Sequence, residues 1–508
     1  MAVLFIGDNW LMASAIVGFL RACELSGKDW EGWIKGRKLE VPDSVWQEMG
    51  SILGEALFKE ACLKSSVENY IRDLKSSKNK NKNKNPYDVF VLSLIGDFHN
   101  NSVLTNPSSI KSNSSIQELE NWLKGEAIEL LESEEEFKNQ LKDKIKKAVE
   151  EALGKLKGES ENAPLCFFCR ERKTYKYKNK WRTFDAVHFT PLSASPETIA
   201  NFFYNGKNTM YLCIDCEKLL FFSSLAYTKV GENYTFAYLP EENLKAIYDA
   251  NNVLIKEKKI TKNFIRHILK RKVEYSYKNV YIVEIQKIGQ AKANIHVFTF
   301  DNRLLPALYE YLVGYPQGFF GEIFDIFLDY ITSGKSLYEM VNYILLGFFF
   351  DKNKKYSESS FTQRLINLGK SFKFLPNKLT YFIMFQEYLT SEEGKDMGEK
   401  QISWAYAEGK KLYEKLVRKY GEKNVKKRVQ TLSYRILEAV RRKDTDVFVQ
   451  SIIRAYLELE TEVPALFKEA LVDKNFNRIA YAFLIGLNGG RTDGGKSEGE
   501  VGEALGEE

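Results

Sequence analysis

Between Val45 and Leu74 the apolar positions Met49, Ile52, Leu53, Ala56, Leu57 and Ala61 recur at spacings of three and four. That is the stripe of an amphipathic helix, and residues 1–75 read as mostly helical. The polar run KNKNKNKN over 78–85 has nothing to bury, and it predicts a mobile surface loop stopped by Pro86. YDVFVLSLIGDF (87–98) is a dense apolar run that predicts a buried strand. A Ser/Asn-rich linker follows over 100–114, and Ser115-Ile-Gln-Glu118 has the form of a capping box, in which the hydroxyl and the carboxylate satisfy each other's backbone amides. The helical pattern this box opens runs to Lys157, with breaks near Gly125 and Ser133. Its charges of both signs predict a solvated helical hairpin.

Alternating patterns return in YTFAYLP (234–240), YIVEIQK (281–287) and IHVFTF (295–300), the last two as hairpin partners. From 303 to 488 the pattern is helical almost throughout, and GGRTDGGKSEGEVGEALGEE is a disordered tail by composition. No internal repeat emerges. The fold class expected is α+β and multidomain: a mixed N-terminal region, an inserted four-cysteine module of zinc-ribbon or treble-clef type, and a mainly α C-terminal helical bundle. The boundaries expected are 1–162, 163–228, 229–302, 303–396, 397–488 and the tail 489–508.

Composition changes this picture little. A chain of 508 residues with 44% hydrophobic and 28% charged residues has the make-up of a soluble globular protein. The apolar N-terminus is broken early by Gly7-Asp8-Asn9 and has no basic leader, and Met340–Phe350 is too short to span a bilayer. A cytoplasmic location and no membrane partner are therefore expected. The absence of GxGxxG argues against a dinucleotide enzyme.

Four of the six cysteines form two matched pairs, Cys166/Cys169 in CFFC and Cys213/Cys216 in CIDC, with 43 residues between them. In a reducing compartment two CxxC knuckles complete a tetrahedral thiolate shell suited to Zn²⁺. Such a shell is closed to water and is expected to be structural. The second pair runs into EKLLFFSS, which puts Cys216 at a helix start. Cys23 and Cys62 sit in apolar helical patterns and are expected to be buried bystanders.

The net charge is only +6, but the positive charge is clustered. RERKTYKYKNKWR (170–182) holds seven basic residues: Arg170, Arg172, Lys173, Lys176, Lys178, Lys180 and Arg182. Tyr175, Tyr177 and Trp181 are interleaved among them. The alternation suits a β-hairpin with a cationic face and rings able to stack or wedge beside bases. KEKKITKNFIRHILKRK (256–272) reads as a basic amphipathic helix, with Lys258, Lys259, Arg266, Lys270 and Arg271 as candidate contacts. GKKLYEKLVRKYGEKNVKKR (409–428) reads the same way, with Lys410, Lys411, Arg418, Lys426, Lys427 and Arg428. The Lys/Asn run adds Lys78, Lys80, Lys82 and Lys84. Four such clusters point to nucleic acid. Two of them on about eight phosphates would give log K a slope near −7 against log salt.

Two alternatives stand beside this reading. Asp185-Ala-Val-His188-Phe-Thr-Pro191-Leu-Ser193 is similar to the metal-binding core of HNH nucleases, in which His188 would activate water beside Mg²⁺. The spacing of Asp185 and His188 departs from that family, and Glu217 stands where it places His or Asn. His188 is otherwise a packed or DNA-facing histidine. His99, His267 and His296 are scattered without triad partners. The other alternative is a zinc-stabilised scaffold that binds no nucleic acid.

LCFFC, PLSASPETIANFFYNG and MYLCIDCEKLLFFSS resemble the CRISPR-associated CXXC–CXXC family. GDNWLMASAIVGFLRA is similar to that family's opening segment, with Asn9 where the family has Pro. The resemblance implies the non-catalytic large subunit of a type I-B-like Cascade surveillance complex, acting in antiviral defence. Its partners would be a guide RNA, target DNA, CRISPR backbone and small subunits, and a helicase-nuclease. The large subunit would read the duplex flanking motif (PAM), help open the target, contact the displaced strand with its C-terminal helices and recruit the helicase-nuclease. The sequence itself is then read by base pairing.

Glu392-Glu393-Gly394 stands two codons before Met397. Its codons GAR GAR GGN form a purine-rich run of ribosome-binding type. Met397 is therefore expected to be an internal start whose product, a basic helical unit, would serve as the small subunit.

Overall fold

The computed structural model describes residues 2–5, 9–76, 84–158, 162–177, 179–192, 203–204, 207–208, 210–230, 232–240, 244–257, 280–289, 292–300, 304, 327, 330–331, 335–349, 365–367, 376–390, 398–471 and 473–489. The chain divides into two compact units, Met1–Asn302 and Arg303–Glu508. The first is mixed α+β and the second, among the described residues, is helical. The basic segment 258–272, Lys78, Lys80, Lys82, Lys178, Ser193, Met397 and the tail beyond Gly489 lie outside the described residues.

In the first unit, helix α1 (Trp10–Leu25) lies at the centre of the core, with Leu11 to Leu20, Ala22 and Cys23 buried. Asn9 starts it by accepting from the Leu11 amide at 2.8 Å. A Cβ on Gly18 would lie 1.9 Å from the Phe222 carbonyl oxygen, so α1 meets the segment after the second cysteine pair backbone to backbone. The same unit contains a small antiparallel sheet of β1 (Ala2–Phe5), β2 (Ile34–Lys35) and β3 (Lys38–Val41), in the order β1-β3-β2, and helices α2 (Asp43–Gln47), α3 (Met49–Leu63), which packs on α1, and α4 (Ser66–Lys75). The strands add to the mostly helical expectation for residues 1–75.

Residues 87–98 do not form the strand their composition suggests. Tyr87–Leu92 is a π-helical stretch that runs into α5 (Ser93–Ile95). Asn85 accepts from the Tyr87 amide at 2.8 Å and Pro86 leads the turn. Tyr87, Phe90, Val91 and Ile95 are all buried, which is helical spacing. The β-rich composition serves packing, not strand geometry.

The Ser/Asn-rich segment is not a linker either. It holds α6 (Pro107–Lys111), and Ser102, Leu104, Thr105 and Asn113 are buried. Side-chain hydroxyls satisfy its backbone: Thr105 Oγ1 donates to the His99 carbonyl at 2.5 Å and Tyr87 donates to the Leu104 carbonyl at 2.8 Å.

Helix α7 (Ser114–Lys124) is followed by α8 (Glu126–Glu129) and α9 (Glu134–Gly154), with the breaks falling at Gly125 and Ser133. The hairpin is not simply solvated. α9 buries Phe137, Leu141, Ile145, Ala148, Val149 and Ala152. It also lies so close to α3 that a Cβ on Gly50 or Gly54 would be 2.8 or 2.7 Å from the Cα of Glu150 or Lys146.

The cysteine segment carries two short hairpins, β4 (Lys176–Tyr177) with β5 (Lys180–Trp181), and β6 (Phe203–Tyr204) with β7 (Lys207–Asn208), then α10 (Ile214–Leu220). β8 (Thr228–Val230), β9 (Asn233–Tyr238), β10 (Val280–Gly289) and β11 (Lys292–Phe300) form an antiparallel meander in the order β11-β10-β9-β8. The strands expected at 234–240, 281–287 and 295–300 are β9, β10 and β11. Helix α11 (Leu244–Glu257) packs on β9. Its buried Asn251 donates to the Ala237 carbonyl at 2.8 Å and accepts from the Ala237 amide at 2.9 Å.

The second unit contains α12 (Leu337–Phe349), α13 (Pro376–Thr390), α14 (Glu399–Arg441), α15 (Thr445–Glu458), α16 (Leu466–Glu469) and α17 (Asp473–Gly489). α14 is broken at Gly421, whose φ of 74° and ψ of 157° are not helical. Gly409 before the break would place a Cβ 2.2 Å from the Phe483 oxygen, and Ser433 after it accepts from Asn488 at 3.0 Å. Along an unbroken helix Gly409 and Ser433 would be about 36 Å apart. Their partners are five residues apart on α17, so the chain reverses at Gly421 and both halves of α14 pack on the same helix. Among the described residues no helix is long and apolar enough to cross a membrane.

Candidate metal centre and its basic hairpin

CFFC and CIDC come together through strand-like contacts between their flanks. Leu165 bridges Lys173, and Thr183 bridges Tyr211. The Phe167 amide reaches the Tyr211 carbonyl at 2.8 Å, and the Cys166 amide reaches the Arg172 carbonyl at 2.7 Å. Arg170 adopts φ 58° to turn the first knuckle. In the second, Cys213 is the N-cap of α10, and its Sγ accepts from the Cys216 amide at 3.4 Å. Cys169 Sγ likewise takes the Arg172 amide at 3.5 Å. Both amides stabilise thiolate character on the sulfurs they reach.

The four sulfurs lie within 4.8 Å of one another, and Cys169 and Cys213 are 3.8 Å apart. Four thiolates about 2.3 Å from one tetrahedral Zn²⁺ would be separated by about 3.8 Å. All four are free cysteines, three of them buried. Crowding splits their acidities. Hydrogen bonds, first from Cys166, push Cys169 far below the usual thiol range, while hydrogen bonds to Cys166 and Cys169 push Cys213 and Cys216 well above it. One cation at the centre would resolve that conflict. Cys166, Cys169, Cys213 and Cys216 could hold a single metal ion, and their chemistry is consistent with zinc. Such a site has four protein ligands and no position left for a substrate. Cys23 is fully buried and held up to about 12 by burial. Cys62 is only half-buried, which departs from the buried-bystander expectation.

Behind the knuckles is a buried polar network that the sequence reading did not assemble. Glu217, 1% exposed, follows Cys216 directly. It accepts from Tyr175 Oη at 2.6 Å, from Arg182 Nη2 at 2.5 Å and from Arg182 Nε at 3.0 Å. His188 Nε2 lies 3.2 Å from the same carboxylate, and Asp185 Oδ1 is 3.0 Å from His188 Nδ1. Burial alone would raise the Glu217 carboxyl, but His188 and Arg182 outweigh it and hold it at about 2. Burial alone would lower His188, and Glu217 and Asp185 hold it above its ordinary value. His99 is also buried, its Nδ1 2.9 Å from the His188 carbonyl.

These contacts place the predicted residues. His188 is 1% exposed and enclosed by Phe184, Asp185 and Glu217, so the reading of it as a packed histidine holds and a DNA-facing one does not. Arg182 is not on the cationic face: its guanidinium is committed to Glu217. Arg172 is half-buried, 3.0 Å from Asp215, with its guanidinium 5.9 Å from the Trp46 ring. Arg170, Lys173, Lys176 and Lys180 are exposed, as is Tyr177. Lys176 lies 5.0 Å from the Trp181 ring centre. Lys84 is exposed where it emerges beside α4. In the second unit Lys411, Arg418, Lys426, Lys427 and Arg428 are exposed on α14 and Lys410 is half-buried. Lys411 pairs with Glu408 at 2.8 Å, and Arg428 pairs with Glu458 and stacks 4.0 Å over Tyr420. Arg435, Arg441 and Arg442, with exposed Tyr434, extend that basic surface beyond the predicted stretch. His296, on β11, faces Glu284 across the strand pair.

Residues 159–228 match the family described as CRISPR-associated protein (Cas_CXXC_CXXC). The match spans both cysteine pairs, the basic hairpin and Glu217, and it supports a CRISPR-related role in company with other Cas components and nucleic acid. No curated protein and no solved structure matches the chain.

Proposed function

We propose that this chain is the non-catalytic large subunit of a type I-B-like RNA-guided surveillance complex in the cytoplasm. One observation carries the reading: the segment similar to a CRISPR-associated family is a four-cysteine centre that presents an exposed basic-aromatic hairpin. In this reading the cysteines hold a structural Zn²⁺ in a treble-clef-like frame, and Lys176, Tyr177 and Lys180 touch the duplex that flanks the target. Cations within a hairpin supply phosphate attraction, and rings supply a wedge or stacking platform. The exposed cations of α14 would follow the displaced strand. The guide RNA, the backbone and small subunits, and a helicase-nuclease are the partners this role requires.

His188, the residue a nuclease would use, is buried and bonded, and four-thiolate centres hold metal without offering it to substrate. Both points support a subunit that binds and does not cut.

The test is purification of the tagged chain from its native operon, followed by sequencing of its RNA. A uniform RNA with a constant fragment and a variable spacer is expected. A metal-bound chain free of RNA would overturn the reading. The internal start at Met397 belongs to the same proposal: Met397→Leu should remove a second product of about 13 kDa, scaled from 58.7 kDa for 508 residues. Persistence of that band would refute it.

A further inference from the structure

We infer that Glu217 is a positioning residue that links the four-cysteine centre to the placement of the basic hairpin. The consequence for DNA rests on the function proposed above; the link itself does not.

β4 and β5 have two residues each, and an isolated hairpin of that size has no stability of its own. Its direction is set where it is rooted. The stem ends at Tyr175 on one side and Arg182 on the other, joined by the Arg182 amide to the Tyr175 carbonyl at 2.8 Å. Both side chains converge on Glu217. Thr174 Oγ1 lies 2.8 Å from the carbonyls of both Arg182 and Leu212 and shares its one proton between them, tying the same stem to the segment that leads into the second knuckle. The incoming root is held again by Asp215, which takes Arg172 at 3.0 Å.

Asp215 and Glu217 are the two neighbours of Cys216. A single metal ligand is therefore flanked by two carboxylates, each holding one arginine from one end of the basic stretch. Two charge-assisted contacts of this kind fix orientation as well as distance. A knuckle with its metal holds the first turn of α10, and through it Glu217 stays where Tyr175 and Arg182 reach it. A knuckle without metal loses the constraint that places Cys216, and the hairpin loses its anchor. Between the roots the described residues are exposed or half-buried, Lys176, Tyr177, Asn179, Lys180 and Trp181, so the loosened element would be the one that meets a ligand.

The experiment uses the full chain and three readouts: metal per chain by native mass spectrometry, amide hydrogen exchange over 174–182, and the Kd for a short DNA duplex. Glu217→Gln should keep one metal per chain, while exchange over 174–182 rises about tenfold and Kd rises by a similar factor. Metal-stripped wild type should show the same rise over 174–182. Tyr175→Phe removes one bond without stranding a charge and should give a smaller rise in the same window, so the test survives if Glu217→Gln does not fold. Unchanged exchange in Glu217→Gln or Tyr175→Phe would overturn the inference, as would Glu217→Gln losing its metal, because Glu217 would then serve the knuckle itself. Absence of DNA binding by wild type, with the exchange pattern as expected, would fault the functional reading and leave the link intact.

Discussion

Glu151, near the end of α9, accepts the backbone amide of Ser115 at 2.8 Å and that of Ser114 at 3.0 Å, in the first turn of α7. It also accepts the Ser114 hydroxyl at 3.0 Å. Asn113 completes the end of the helix, with its Oδ1 taking the Ile116 amide at 3.0 Å and its Nδ2 donating to the Ala148 carbonyl at 2.8 Å. The cap is therefore tertiary, two side chains that also join α7 to α9.

This arrangement makes Glu151 acid-sensitive. Burial would raise its carboxyl, but the Ser115 and Ser114 amides hold it at about 2, below the ordinary 4.5. A lowered carboxyl stabilises the fold fully above its unfolded value and less as pH falls. Its contribution should be constant above pH 4.5 and fade between 4.5 and 2. Glu151→Gln should cost about 1 kcal/mol at neutral pH and flatten the stability curve in that window. Denaturant unfolding from about pH 7 to about pH 3 checks this, and an unaltered slope in the variant would refute it.

A capping box was legible at Ser115 to Glu118, and a helix does begin there, yet the box is not formed. Sequence reasoning sees partners three or four residues apart; Glu151 is 36 positions from Ser115. The same limit explains Glu217. Its place after Cys216 is visible in the sequence, but its partners Tyr175 and Arg182 are 42 and 35 positions away. The cysteine quartet was legible because CxxC carries its geometry locally. Residues 87–98 misled because a buried helix and a buried strand have the same apolar density. The reversal at Gly421 was hidden, since charges of the same kind continue across it.

The crossing of α14 and α17 leaves no room for a methyl group. A Cβ on Gly486 would lie 2.0 Å from the Tyr406 carbonyl oxygen, and one on Gly409 2.2 Å from that of Phe483. Both obstacles are backbone, so the helices must separate. Gly486→Ala should cost about 3 kcal/mol, and Gly421→Ala, which meets open space but must hold φ 74° with ψ 157°, a combination essentially confined to glycine, about 2 kcal/mol. Thermal unfolding of the two variants should rank them in that order; equal midpoints would show that the crossing is looser than drawn.

Metal removal should act locally. Cys169→Ser takes one ligand from a shell of four and should abolish stoichiometric zinc, read by native mass spectrometry. The second unit does not share the cysteine segment, so its helical signal should survive chelation. Full helical collapse in a chelator would mean that the centre holds more than its own segment.

The exposed lysines of the hairpin make the sharpest claim on nucleic acid. Lys176 and Lys180 face solvent, while Arg182 is spent on Glu217. If each lysine neutralises one phosphate, replacing both by Ala should reduce the slope of log K against log salt by about 2. Affinity should fall alike for every flanking sequence if they hold only the backbone, and unequally if either reaches a base edge. Arg182→Ala differs in kind: it strands a buried carboxylate and should lower stability by about 3 kcal/mol or more. A salt slope unchanged in the double lysine variant would move the contact away from this hairpin and toward the basic face of α14, where Lys426, Lys427 and Arg435 are exposed.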